Sequence, residues 1–185
     1  MGEEKHYKFL RDGRVGTHSK FQWPDVGGWV EAKGNLVPCE NGIHVCRPQD
    51  VSAWIAAEMY EVEIDGEVVE AHDKLCVRKA RLTKRIETWN KQTQRLFAAD
   101  CAERALPIFE TAYPNDTRPR EAIEAARQFV RDEITAASRD AAFAAARVAG
   151  DAAWDAAWAA GAAAWGAEQM WQSARLLQYV NGEVS

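Results

Sequence analysis

The chain lacks the basic charge and the long apolar runs that mark several functional classes, and we expect no secretory leader. Its formal net charge is -5 over 185 residues, whereas a general nucleic-acid binder needs a basic surface. Its alanine-rich stretch is interrupted by Arg147, Asp151, Asp155 and Glu168, so we predict no membrane-spanning segment. The first residues, MGEEKHYKF, hold no apolar run of the secretory type. These absences together predict a cytoplasmic protein.

Catalytic and metal-binding motifs are also absent. The sequence has no Walker A loop, no GxGxxG, no GxSxG and no HExxH, so no motif indicates a reaction or a cofactor. A zinc site on Cys39, His44 and Cys46 would need His72 or Cys76 to complete it through the fold. Structural zinc sites commonly use closely paired cysteines, so we expect no metal. The four cysteines are irregularly spaced, and we expect them to be reduced thiols.

An eleven-residue unit repeats over residues 141–173 and dominates the C-terminal half. Phe143, Trp154 and Trp165 occupy one position of the repeat, and Trp158 follows Trp154 by one helical turn. Alanine favours a helix, and an eleven-residue period keeps that position on one face. We predict that this face packs on the rest of the protein or on a second copy of the chain. The second arrangement would give a homo-oligomer, which we expect. A stacking platform for bases is the alternative, which the acidic charge of the segment disfavours.

The order of local patterns predicts an α+β fold. A small β-rich N-terminal domain, 1–86, carries one helix that begins at Pro48, and an all-α, alanine-rich helical unit follows over 87–185. Asp65-Gly66 is typical of a hairpin turn, with arms at 60–64 and 67–69. Pro107 predicts a kinked or split helix near Leu106. Asn181-Gly182 predicts the end of the last helix.

Two stretches resemble known families. The first consists of Asn41–Cys46, the helix from Pro48 to Trp54, the strand ending at Gly66 and the Asp73-Lys74 pair. This pattern resembles an N-terminal domain of uncharacterised phage and bacterial proteins. Those proteins often carry alanine-rich tails with recurring Asp-Ala-Ala-Trp, here residues 151–154 and 155–158. Cys101–Glu110 and Thr117–Arg127 resemble a helical segment of immunity proteins. Neither resemblance implies a reaction or assigned site residues.

Two groups of residues are the candidate ligand-binding positions. His44 follows a Gly-Ile turn, and this pattern also looks like the middle of an ADP-ribosyltransferase fold, which implies NAD with Tyr7 early and Glu61, Glu63 or Glu67 late. The competing interpretation is a packed histidine whose ring nitrogens bind backbone groups. Arg78, Lys79 and Arg81 form a basic cluster that is either a solvated face or a phosphate contact.

The sequence therefore favours a non-enzymatic phage or bacterial accessory protein. It would bind a protein partner or a small, nucleotide-like ligand, in counter-defence or immunity. An NAD-using ADP-ribosyltransferase-like enzyme is the first alternative, and a structural virion protein is the second.

Overall fold

The structure, a computed structural model, describes residues 4–131 and 162–184. It confirms the α+β class. The described residues fall into two compact units. The first contains the residues up to Asn90 together with Gln169–Val184, and the second contains those between Lys91 and Glu168.

A curled antiparallel sheet forms most of the first unit. Its strands are β1 (His6–Arg11), β2 (Val15–Gly16), β3 (Trp29–Glu31), β4 (Ile43–Val45), β5 (Glu58–Ala71) and β6 (Lys74–Arg85). Their order in the sheet is β2-β1-β5-β6-β3, and β4 also pairs with β6. Tyr7 and Cys46 exchange two backbone hydrogen bonds of 2.9 and 2.8 Å, which join β1 to the end of β4 and curl the sheet.

The sheet buries one apolar cluster on the inside of this curl. Successive strand residues face opposite sides, so Ile43 and Val45 enter the cluster while His44 between them faces away. The buried members are Leu10, Trp23, Ile43, Val45, Tyr60, Val62, Leu75, Val77, Ala80 and Leu82.

The predicted hairpin turn at Asp65-Gly66 is wrong. β5 continues through these residues, and the turn to β6 lies at His72-Asp73. The register shifts between Asp65 and Val68, and Gly66 adopts φ +80°, a conformation that suits glycine. The dipeptide therefore makes a bulge within a long strand instead of ending it.

Two helical segments complete the first unit. The helix predicted from Pro48 is a 3₁₀ helix, Pro48–Trp54. The last helix, Ala162–Val180, ends before Asn181-Gly182 as predicted, with Gly182 at φ +71°. Its residues from Gln169 onward belong to the first unit. There the Ser173 hydroxyl donates to the Gln49 carbonyl at 2.8 Å and accepts from the Ser52 amide at 3.2 Å.

The second unit contains a helical hairpin, α1 (Lys91–Ala112) and α2 (Arg118–Val130); Ala162–Val180 is α3. Pro107 lies inside α1, which continues to Ala112, so the helix is not split there. Ala99, Leu106 and Ile123 form the buried contact of this unit. Every helix within residues 4–131 and 162–184 is too short or too polar to cross a bilayer.

Candidate functional site

His44 lies in β4, half-buried, with both its ring and its carbonyl engaged. Its Nε2 accepts a hydrogen bond from the Cys39 amide at 3.2 Å, and its carbonyl accepts one from Lys8 Nζ at 2.5 Å. Burial lowers the pKa of His44, and the nearby Lys8 and Lys74 charges lower it further. The ring is therefore held neutral as an acceptor, which is the packed-histidine interpretation. The bond also braces a turn in which Cys39 adopts φ +71°.

Trp54 is the centre of a small cluster beside His44. His18 meets the Trp54 ring edge-on at 5.5 Å, and the His44 ring lies 6.5 Å away. Lys74 Nζ sits 4.7 Å from the Trp54 ring centre, a cation–π distance. The Trp54 indole N–H donates to the Asp73 carbonyl at 2.8 Å, and Lys74 pairs with the Asp73 carboxylate at 3.2 Å.

The contacts within this cluster keep Lys74 protonated. Burial alone would lower the pKa of Lys74, but hydrogen bonds to Asp73 and to the Cys39 side chain outweigh burial and raise it. The residue is only 8% exposed. Lys74 is therefore engaged by both the Asp73 carboxylate and the Trp54 ring, whereas His18 at the edge of the cluster is exposed. Trp54 and the Asp73-Lys74 pair belong to the pattern noted in the sequence. The sequence did not indicate that these residues contact one another and lie beside His44.

The residues of the NAD interpretation lie on one face of the sheet. Tyr7 pairs with Glu61 across β1 and β5 and with Cys46 beyond β4, two residues from His44. However, Tyr7 is only 4% exposed, and burial raises its pKa. The sheet face that carries these residues is therefore shielded from solvent at Tyr7. Glu63 and Glu67 instead pair with basic residues of β6.

The described residues do not assemble a metal site. Within 4–131 and 162–184, no group of three or more histidine, cysteine or acidic side chains is arranged to hold an ion. Burial raises the pKa of Cys46 to about 12, which keeps it a thiol, whereas zinc binds thiolate. His44 Nε2 already accepts the Cys39 amide.

The predicted phosphate contacts on β6 each face a carboxylate of β5. Lys79 and Arg81 also flank the Trp29 ring, with their charged groups 4.6 and 4.8 Å from its centre. A phosphate would have to compete with these carboxylates, so its binding here stays a prediction. The pairs are Arg78–Glu67 at 2.6 Å, Lys79–Asp65 at 3.5 Å and Arg81–Glu63 at 2.5 Å. The available signal in the sequence was the alternation of acidic residues along β5, Glu63, Asp65 and Glu67, ahead of the basic residues of β6.

The predicted aromatic interaction face is not described. Phe143, Trp154 and Trp158, and most of the repeat, lie outside the described residues. Trp165 lies in α3, and only its backbone is described. The role of this face in self-association remains a prediction.

The end of the helical hairpin exposes large side chains that the sequence analysis did not select. We call Ile108, Tyr113 and the loop 114–118 the hairpin tip. Ile108 is 51% exposed and Tyr113 is 59% exposed, with the Tyr113 ring 5.0 Å from that of Phe109. Residues Tyr113–Arg118 line an open cleft of about 550 Å³.

Ion pairs hold the hairpin behind this tip. Arg127 bridges Asp100 at 2.9 Å and Glu103 at 2.6 Å, and its hydrogen bond to Glu103 lowers the pKa of that carboxyl. Arg120 binds both carboxylate oxygens of Glu110. The tip thus exposes Ile108 and Tyr113, and Glu110, which lies between them in the chain, pairs with Arg120.

Comparison with protein families matches the two parts of the chain separately. Residues 84–172 match the model of a family described as Imm-5 like putative immunity protein. Residues 5–93 match a domain of unknown function, DUF7666. No curated protein and no solved structure matches the chain. The immunity-type resemblance of the helical part is thereby supported.

Proposed function

We propose that this protein acts by binding, as an immunity protein that captures a harmful protein partner and blocks its action. The match of residues 84–172 to the Imm-5 like family carries the proposal. In a phage, the same activity would serve counter-defence against a host protein. Capture requires no covalent bond to be made or broken, which agrees with a sequence that has no catalytic motif.

The hairpin tip is the surface we assign to the partner. Ile108 and Tyr113 offer large exposed side chains, and tyrosine is enriched among residues that dominate interface energies. Arg118 and Arg120 are each paired with an acidic neighbour and remain 66% and 63% exposed, which suits a polar rim. The tip lies wholly within the residues that match the immunity family.

A growth-protection selection tests the function. Fragments of the source genome are expressed from an inducible promoter in cells with and without the full chain. We expect at least one encoded protein to stop growth only in cells that lack the chain, and to form a defined complex with it in native mass spectrometry. If no toxic fragment is rescued across a saturating library, the immunity proposal fails.

Variants of the tip then test the assigned surface. Tyr113→Ala and Ile108→Asp should weaken the complex by roughly 30-fold or more, as for a residue worth about 2 kcal/mol at an interface. Glu124→Gln is the matched control, because Glu124 is an exposed residue of α2 away from the tip. Equal affinity for all three variants would move the partner site elsewhere and leave the function standing.

The same native spectra test the small-ligand and oligomer proposals. A co-purified mass equal to a nucleotide would direct attention to the Trp54 cluster and to Arg78, Lys79 and Arg81. A homodimer or larger assembly would support self-association through the aromatic face of the repeat. A bare monomer would contradict both.

A further inference from the structure

The second half of β5 is an open sheet edge. β1 pairs with β5 only from Glu58 to Val62, whereas β5 continues to Ala71. Beyond Val62, no strand within the described residues pairs with the side of β5 that faces away from β6. Most side chains from Glu63 onward are exposed, and Val68 is 42% exposed. Among residues 4–131 and 162–184, no strand pairs with the backbone N–H and C=O groups along this side, and such unpaired groups can receive another chain.

The charge of this edge selects the kind of chain that can pair with it. Residues 63–71 contain no basic residue. The carboxylates are Glu63, Asp65, Glu67 and Glu70, with side chains 44%, 62%, 56% and 79% exposed. Three of them contact a cation on β6, and Glu70 lies 3.6 Å from Arg47. A strand added on the side that faces away from β6 would bring its own side chains opposite them.

We propose that β5 over residues 63–71 receives an extended, lysine- or arginine-rich segment of a partner protein as an added strand. Main-chain hydrogen bonds supply the affinity, and the carboxylates select cationic side chains on alternate positions of the segment. A second copy of this edge is excluded as the occupant, because it would place acidic residues opposite acidic residues.

The bulge adds selectivity to this edge. The register shift between Asp65 and Val68, with Gly66 at φ +80°, interrupts the regular spacing of the backbone groups. Bulges and charges are the means by which proteins prevent indiscriminate pairing of open edges. Here they disfavour a long regular strand and leave the edge for a short segment of matching charge. The edge lies outside residues 84–172, so this inference stands independently of the immunity proposal.

A designed peptide probes the edge directly. The probe is an amidated eight-residue peptide of alternating lysine and threonine, added to the full chain. We expect the amides within residues 63–71 to gain at least tenfold protection in hydrogen exchange. An N-methylated version keeps the charge but removes alternate backbone donors, and should give no protection. An alternating glutamate and threonine peptide should not bind.

A charge reversal supplies the matched test on the protein side. Glu70→Lys should weaken binding of the lysine peptide at least fivefold, measured by fluorescence anisotropy. Glu87→Lys is the control, because Glu70 and Glu87 are 79% and 78% exposed and each lies beside one arginine, at 3.6 and 3.7 Å. Equal weakening by both variants, equal binding of the N-methylated peptide, or no protection within 63–71 would each overturn the proposal.

Discussion

Leu176 is the most informative single residue for the claim that the end of α3 is part of the β-rich unit. It is completely buried, and it lies three residues after Ser173, whose hydroxyl bonds to Gln49 and Ser52. Leu176→Ala removes the equivalent of three carbon atoms, worth about 0.8 kcal/mol each. The cavity left behind adds to this loss, and leucine-to-alanine changes in cores cost about 2–5 kcal/mol. We expect the free energy of unfolding of the first unit to fall by about 3 kcal/mol.

Hydrogen exchange in the strands is the assay that isolates this effect. Amides of β1 and β5 lie in the first unit, so their slowest exchange should accelerate by roughly 100-fold for a loss of about 3 kcal/mol. With an m-value of about 1.5 kcal/mol per molar urea, the unfolding midpoint should also fall by about 2 M. Met170→Ala is the control, since Met170 is in the same helix and 66% exposed. Unchanged exchange in β1 and β5 would refute the assignment of this helix end to the β-rich unit.

Three further predictions concern the ion pairs, the thiols and the histidine. Arg127→Met should destabilise the helical hairpin by about 1–3 kcal/mol in thermal unfolding, whereas Arg118→Met, which removes an exposed pair, should have no measurable effect. Because burial raises the pKa of Cys46 to about 12, iodoacetamide should label exposed Cys39 at least about tenfold faster than Cys46 in the folded protein, as read by peptide mass spectrometry. Burial lowers the pKa of His44 below 6.5, so the imidazole is protonated in the unfolded chain at a higher pH than in the folded protein. The free energy of unfolding therefore falls as the pH drops below that value. His44→Gln should reduce this loss of stability, measured by urea midpoints at about pH 7.5 and 5.5.

The sequence predicted the elements whose signals are local. Pro48 located the start of the 3₁₀ helix, and the Asn181-Gly182 stop located the end of α3. The prediction of a hairpin turn at Asp65-Gly66 was wrong because a glycine with positive φ is suited to a β-bulge as well as to a turn. The actual turn, His72-Asp73, has no glycine, proline or asparagine to mark it.

The candidate site was predicted less well because its partners are distant in the chain. The basic residues of β6 were identified, but the register that sets Arg81 against Glu63 was not. The misplaced turn divided β5 into two short arms, so its long pairing with β6 was not predicted. His44 was selected, whereas its contact with Trp54 depends on how the 3₁₀ helix packs on the sheet. Ile108 and Tyr113 were missed because exposure cannot be read from a helical pattern interrupted by proline.

The boundaries of the family matches and of the folded units do not coincide, and this difference has a physical meaning. The DUF7666 match ends at residue 93, yet the unit that contains it also includes Gln169–Val184. Leu176 and Tyr179 are 0% and 3% exposed there, and Thr88 donates to the Val180 carbonyl at 2.6 Å. The β-rich unit is therefore completed by residues that follow the helical segment in the chain. The DUF7666 match therefore omits part of the β-rich unit, and we expect residues 5–93 without the end of α3 to be less stable than the same unit in the full chain.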